Sequence, residues 1–315
     1  MLKLSLNIST IARRNSALFL VTCCLLAAGC VGSDPIGTGP ELDRPFRVMT
    51  WNVRNLFDER DNPNSLDEVL FPGQVEAQLS RIGDVIRAAD PDFVFLQEVE
   101  NEALLHRLVA EHIPGRGYLY RQLTEAGDPR GINVGFISRF EPSLVANHQS
   151  ERFRAPGGTR EFGFARDAVE VFLEVNGVSL VLIGLHLRSR RDDGDEHRLA
   201  EATQVRTITE LRSDMGNTHI LAAGDFNDTQ ETATMRTLLD DGPYLNVTEA
   251  LPPGDQWTID TFGRRLQFDY ILATPALAET AVESEVFILR GPEITQTSDH
   301  AAVMASFELR ADQEP

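Results

Sequence analysis

Gly224-Asp225-Phe226-Asn227-Asp228, which follows the apolar run His219-Ile220-Leu221-Ala222-Ala223, is the stretch that decides the fold class. A short apolar run closed by glycine predicts a buried strand, and strand alternation puts Asp225 and Asn227 on one side of its exit loop. An acid and an amide then face one pocket. Ordinary turn chemistry also favours Gly, Asn and Asp together. What sets this stretch apart is its company: other short apolar runs between Asn52 and His300 also end in Asn, Glu, Asp or His. Convergence of distant strand ends on one pocket is how α/β scaffolds build active sites.

Upstream, Phe46-Arg47-Val48-Met49-Thr50-Trp51 alternates apolar and polar residues and runs into Asn52. This reads as a strand whose terminal amide either caps a turn or offers a neutral oxygen to a metal or phosphate. Val75, Leu79, Ile82, Val85 and Ile86 recur at helical spacing, predicting an amphipathic helix over 74–89 stopped at Asp90-Pro91. Phe93-Val94-Phe95-Leu96 follows as a buried strand with Glu98 at its exit. Beside Asn52, Glu98 would make a hard, oxygen-rich corner suited to Mg²⁺. Alternatively it is an acid favoured by the dipole of a helix expected over 102–112. Strands are expected at 118–120 and 131–137 around a loop in which Arg130 either faces a phosphate or pairs with Asp128.

Segment 149–166 gathers Arg152, Arg154, Arg160 and Arg166 among Phe153, Phe162 and Phe164, and reads as a phosphate-facing surface or a solvated loop. Asn176-Gly177 is the dipeptide of a type I′ hairpin, joining strands at 167–175 and 178–185. The second strand ends in His186-Leu187-Arg188-Ser189-Arg190-Arg191. A helix over 195–215 leads to the strand before Asp225, and a shorter one is expected over 231–240. Asp269 lies inside the apolar run Leu266-Gln267-Phe268-Asp269-Tyr270-Ile271-Leu272. A buried carboxylate is costly unless paired, and the candidate partner is His300 of Ser298-Asp299-His300, which opens a last strand over 301–309.

The two ends carry different information. Lys3, Arg13 and Arg14 precede an apolar run at 17–28 that is too short to span a bilayer comfortably and ends at Gly29-Cys30. That pattern predicts a secretory signal. Ala27-Ala28-Gly29-Cys30 is similar to a bacterial lipobox, although Leu26 stands one residue further from the cysteine than usual. It implies cleavage before Cys30 and lipidation of its sulfur; a plain signal with an incidental cysteine is the alternative. Cys23 and Cys24 leave with the signal, so the mature chain has a single cysteine and no internal disulfide. The expected layout is a leader at 1–29, a Gly/Pro/Asp-rich tether at 30–43, a domain at 44–310 and a tail at 311–315. The net charge of −19 becomes more negative once the leader departs, and Lys3 is the only lysine. Such a field repels polyanions, which disfavours tight non-specific duplex binding unless arginines gather locally.

Thr50-Trp51-Asn52, Leu96-Gln97-Glu98, Leu185-His186-Leu187-Arg188-Ser189, Gly224-Asp225-Phe226-Asn227, the run around Asp269, and Ser298-Asp299-His300 occur in that order. Together they resemble the endonuclease/exonuclease/phosphatase superfamily, the metal-dependent phosphoesterase fold of deoxyribonuclease I, over about residues 44–310. The resemblance implies an α+β protein, a four-layered α/β/β/α sandwich of two mainly antiparallel sheets packed face to face with helices outside. It assigns Asn52, Glu98 and Asp299 to a divalent metal, Mg²⁺ with Mn²⁺ or Ca²⁺ as alternatives. Asp225 would align or deprotonate the attacking water, and Asn227 would bind a phosphate oxygen or a second metal. His186 would donate to the transition-state oxygens, and His300, held by Asp269, would be the acid/base. Arg130 and Arg188, with Arg190 and Arg191, would bind substrate at the rim. Two departures stand out: Arg54 where some nucleases carry an acid, and Arg188 where related bacterial sequences often carry Lys.

The implied function is an exported, Mg-dependent phosphodiesterase most like extracellular nucleases. It would act on DNA or RNA as a monomer, and its lipid would hold it to a bacterial membrane, periplasmic or at the cell surface. A phosphatase or sphingomyelinase-like hydrolase of a smaller phosphoester is the alternative within the fold. A binding lipoprotein with a dead site is the alternative of another class.

Overall fold

A strand, a helix laid over it and a second strand parallel to the first open the computed structural model, which describes residues 41–190, 194–240 and 242–311. β1 (Phe46–Leu56) enters α1 (Pro72–Ala89) and returns as β2 (Phe93–Val99), parallel to β1. The helix buries Val75, Leu79, Ile82, Val85 and Ile86, the residues of the helical repeat, and ends where Asp90 turns left-handed before Pro91. α2 (Glu102–Arg107), capped by Asn101, continues as a π-helical turn to His112. β3 (Tyr120–Thr124) and β4 (Asn133–Ser138) then add antiparallel strands.

The second sheet begins with β5 (Leu144–Ala146), β6 (Ala168–Val175) and β7 (Val178–His186). Between the last two, Asn176 and Gly177 have φ of 51° and 78°, the positive values a type I′ turn requires. β7, α3 (Asp195–Asp214) and β8 (Ile220–Asp225) repeat the opening design, with β8 parallel to β7. α4 (Ala233–Leu238), β9 (Leu245–Asn246), the hairpin of β10 (Ile259–Thr261) and β11 (Arg264–Leu266), and β12 (Asp269–Ala273) follow. β13 (Phe287–Leu289) and β14 (Ala302–Phe307) return to the first sheet.

The first sheet is ordered β13-β14-β1-β2-β4-β3 and the second β5-β6-β7-β8-β12-β9. Among the described strands only β1/β2 and β7/β8 are parallel, because a parallel neighbour needs a crossover long enough to hold a helix. Strand parity sorts the core into layers. Phe46, Val48, Phe93 and Phe95 meet Leu182, Leu221, Ala223 and Ile271 between the sheets. Met49, Trp51, Val94 and Leu96 turn outward to α1, and Val181, Ile183, Ile220 and Ala222 turn outward to Val205, Ile208 and Met235 on α3 and α4. Both faces of the central strands are buried, which explains their unbroken apolar runs. The layers stack as helix, sheet, sheet, helix, the expected sandwich.

The sheets approach closely where Phe95 of β2 meets Gly184 of β7: a Cβ at 184 would lie 2.4 Å from the Phe95 ring. Gly184→Ala is therefore expected to cost about 1–3 kcal/mol, seen as a lower urea midpoint at unchanged m-value. Adding Phe95→Leu should recover most of the loss. An unchanged midpoint in the single variant would contradict this packing.

Several expectations are corrected. β1 continues past Asn52 to Leu56 through an irregular register in which Arg54 and Asn55 have φ of 53° and 46°. Asp269 opens β12 instead of lying inside a strand, because Leu266 belongs to the β10/β11 hairpin. The helix expected over 102–112 is α-helical only to Arg107, and that over 231–240 is trimmed to Ala233–Leu238. The leader, Cys30, the tether as far as residue 40, Arg191 and residues 312–315 lie outside the described residues.

Candidate active site

Registration across the second sheet sets three site residues in one row. His186 pairs with Asp225 across β7/β8, and Asp225 with Asp269 across β8/β12. They share the parity of Leu182, Leu221 and Ile271, so all three point between the sheets. From the first sheet Asn52 points inward in the same way, beside its register partner Gln97. Gly224 is required just before Asp225: its φ is 151°, and a Cβ there would lie 1.9 Å from the Leu185 carbonyl oxygen. Asn227 takes the left-handed conformation at φ 54°, which asparagine tolerates well.

Asp225 is the hub. Its Oδ2 accepts from Asn52 Nδ2 at 3.0 Å and lies 3.5 Å from His186 Nε2 and 3.9 Å from His300 Nε2; its Oδ1 accepts from Asn227 N at 2.8 Å. His300 Nδ1 is 2.8 Å from Asp269 Oδ2. The His300 backbone is clamped at both ends, because Trp51 Nε1 donates to its carbonyl and its N–H donates to Ser298 Oγ. Ser298 Oγ in turn donates to the Asn52 carbonyl.

Burial sets the charges of this group. It pushes the Asp225 carboxyl up to about 7, with His300 opposing and Asp269 adding to the rise. Burial disfavours a charged His300, but the carboxylates of Asp269 and Asp225 and the hydrogen bond to Asp269 outweigh it and raise that imidazole to about 10. His186 is driven well below the usual histidine range by burial, helped by the charges of Arg166, His300 and Arg130. One histidine is thus a cation and the other a neutral donor.

The remaining predicted residues hang on the turn 52–55. Arg54 N donates to Asn52 Oδ1, and Asn55 N to Glu98 Oε2 at 2.9 Å. Arg54 Nε stands 3.8 Å from the exposed Asp299. Glu98, at φ 63°, sits where the register of β2 slips between Gln97 and Val99, so the bulge re-aims it. The N-cap of α2 is Asn101, so Glu98 is not the helix-start acid. Arg130 stands 3.7 Å from Asp128, the pairing alternative, and also 3.7 Å from Glu98 Oε1. Asn227 Nδ2 donates to the Leu187 carbonyl at 3.1 Å. Arg188 is half-buried and lines a cleft of about 360 Å³ with Arg152, Phe164 and His197.

The arginine-rich segment is not simply solvated. Phe153, Ala155 and Phe162 pack on Ala200. Arg166 is buried, 2.7 Å from Asp128 and donating to the Leu187 carbonyl. The sequence reading also passed over Glu201, wholly buried on α3, which accepts from the backbone of Arg188 and of Ala165 and is raised by burial to about 7. A carboxylate at that spacing within a helix's buried stripe was the available signal.

The profile of the Endonuclease/Exonuclease/phosphatase family matches residues 49–300. The chain belongs to this family. Among solved structures, the human Nocturnin catalytic domain with bound sulfate matches with a TM-score of 0.60 at 20% identity, over 86% of this chain and 97% of that one. The endonuclease/exonuclease/phosphatase protein from Beutenbergia cavernae DSM 12333 gives 0.62 at 22%, over 85% and 72%. A humanized D. rerio TDP2 gives 0.55 at 22%, over 84% and 99%. At such identities the likeness is one of fold. Among curated proteins, none matches this sequence. As a member of the endonuclease/exonuclease/phosphatase family the protein is a phosphoric ester hydrolase, and enzymes of the family depend on a divalent metal.

Within this site, two donor groups offer ligands for that metal. Asp225, Asp269 and His300 hold ligand atoms within 4.8 Å of one another, but His300 gives Nδ1 to Asp269 and, raised as it is, keeps its other nitrogen protonated. That trio is an ion-pair relay. Asn52, Glu98 and Asp299 offer oxygens alone, and the arginines facing Glu98 Oε1 and Asp299 Oδ1 stand off at 3.7 and 3.8 Å, beyond hydrogen-bonding distance. This second set fits a hard divalent cation.

Proposed function

We propose that the protein is an exported, lipid-anchored, Mg²⁺-dependent phosphodiesterase that hydrolyses nucleic acid. The observation carrying this reading is the position of Asp225, hydrogen-bonded to Asn52 of the oxygen corner and within 3.9 Å of both His186 and His300. Asn52, Glu98 and Asp299 would hold the ion. When bound, Mg²⁺ offsets the negative charge that gathers on phosphoryl oxygens during in-line displacement.

The chain's own groups divide the remaining work. Asp225, with a proton affinity matched to neutral pH, takes the proton of the attacking water. His300 starts as a cation and supplies a proton to the leaving oxygen, while Asp269 fixes its orientation. His186, being neutral, donates one hydrogen bond to the phosphoryl group. The backbone of Asn227 steers the Asp225 carboxylate. Arg130 and Arg188 supply local positive charge on an otherwise acidic chain, which suits phosphate contacts beyond the scissile one. Export and the lipid anchor rest on the leader and Cys30.

The test is hydrolysis of plasmid DNA, RNA, a chromogenic diester and a chromogenic monoester, each with Mg²⁺ and with EDTA. Cutting of plasmid or RNA that EDTA abolishes is the expected result. Turnover of the small esters with intact nucleic acid would make the protein a small-molecule phosphoesterase, and silence on all four would leave a binding protein. Glu98→Ala is expected to raise the Mg²⁺ concentration for half-maximal rate by about 10-fold or more. An unchanged requirement would remove Glu98 from the metal corner.

A further inference from the structure

Gln97 and His186 each bury a polar atom that has no hydrogen-bond partner among the described residues: Oε1 of the amide and Nδ1 of the imidazole. The packing of the sheets sets the strands that carry them across from one another. Asn52 lies over Asp225, and their register partners on the next strands are Gln97 on β2 and His186 on β7. Phe95 packs against Gly184, so β2 lies over β7. Gln97 and His186 each stand two residues further along those strands, on the same inner parity. Both are fully or almost fully buried, at 0% and 3% exposure.

A third mismatch sits beside them. Gln97 Nε2 donates to Thr50 Oγ1 at 3.0 Å, and Thr50 is itself fully buried, so its hydroxyl proton finds no acceptor among the described residues. A half-turn of the Gln97 carboxamide exchanges its oxygen and nitrogen and displaces little else. Thr50 then donates to Oε1, and Nε2 presents a proton to His186 Nδ1. One rotation gives the Thr50 hydroxyl an acceptor and Oε1 a donor, and turns a proton toward the strand that carries His186, in keeping with the way buried polar groups are ordinarily paired.

We propose that Gln97 is a positioning residue that holds neutral His186 as the Nε2–H tautomer, aiming its single proton at Asp225 and the phosphoryl oxygen. The proposal rests on the role given to His186 above and deepens it. An unsupported neutral imidazole divides between two tautomers, and one of them would turn a lone pair toward the phosphate. The amide removes that loss without adding a charge, whereas a carboxylate in its place would favour Nδ1–H and leave Nε2 an acceptor.

The experiment is long-range ¹H–¹⁵N correlation of the imidazole nitrogens in ¹⁵N-histidine-labelled protein near neutral pH, with His186 assigned by its loss in His186→Gln. Wild type should show protonated Nε2 with a hydrogen-bonded, unprotonated Nδ1. In Gln97→Met the Nδ1 signal should lose its hydrogen-bond shift and the tautomers should mix, and in Gln97→Glu the proton should move to Nδ1. Both variants should lower kcat by about 10–100-fold while KM and the Mg²⁺ requirement change by less than about threefold. The same tautomer in all three proteins, or a wild-type His186 carrying its proton on Nδ1 or on both nitrogens, overturns the proposal. The spectrum needs no turnover, so it decides this point even if the protein cuts none of the phosphoesters above.

Discussion

Asp225→Asn is expected to lower kcat by roughly 10²–10⁴-fold, the range in which a positioned general base contributes. The same substitution should not unfold the protein. The folded-state pKa of Asp225 is raised to about 7 from an ordinary carboxyl value of 3.8, because burial favours its neutral form. Its stabilising contribution is therefore complete below the unfolded value and is lost as pH climbs through about 7. Asparagine is neutral at every pH, so the variant should gain on wild type in thermal melts as pH rises from 5 to 8. Its oxygen can still accept from the backbone of Asn227, while its amide nitrogen replaces the oxygen that accepts from Asn52, a loss that is the same at every pH. A variant that matches or exceeds wild-type stability at pH 8 while losing turnover would mark Asp225 as a residue held for chemistry at a cost in stability. Activity within a few-fold of wild type would remove it from the role of base.

His300→Ala should damage both properties. Asp269 is wholly buried and its Oδ2 depends on His300, so removing the imidazole leaves a buried carboxylate uncompensated, at a cost of about 3–5 kcal/mol. Turnover should fall with it, since no other group in the row offers a cationic proton donor. The pH dependence has a definite sign. His300 is raised to about 10 from an ordinary 6.5, so its contribution is complete below about 6.5 and fades as pH rises through about 10. Urea unfolding at pH 6, 8 and 9.5 should show the gap between wild type and variant narrowing. A gap of constant size would mean that the imidazole stabilises by packing alone. Combining His300→Leu with Asp269→Leu should recover part of the loss, because the pair's desolvation penalty leaves with both partners.

Much of this site was legible because strand parity is strict. Asn52, His186, Asp225 and Asp269 were found as polar residues at the ends of apolar runs, and all four point between the sheets. Glu98 shows where that reasoning stops. On parity alone it should follow Val94 and Leu96 outward toward α1, yet a bulge at φ 63° turns it, and Leu96-Gln97-Glu98-Val99 carries no mark of a bulge. Gln97 and Thr50 stand in the motifs beside Glu98 and Asn52 but carry no role there, because buried polar residues in strands are unremarkable until their unmet hydrogen bonds are seen. On α3 the buried stripe includes Arg198 and Glu201 among apolar residues. Arg198 is held by Asp228 at 2.9 Å, a partner no local pattern announces. The sandwich itself followed from long amphipathic and apolar segments. Strands of two or three residues, such as β9, β10 and β11, owe their pairing to tertiary contacts and left little local trace.

The clamp on His300 joins opposite ends of the domain. Trp51 and His300 are 249 residues apart in the chain, and Asn52 and Ser298 are 246 apart. Contacts of that span carry the largest loop-closure cost and depend on the far end of the chain being present. During synthesis Asn52 and Glu98 emerge long before His300 exists, so a nascent or truncated chain holds half a centre and no acid. On the roles proposed above, hydrolysis has to wait until β14 has docked beside β1.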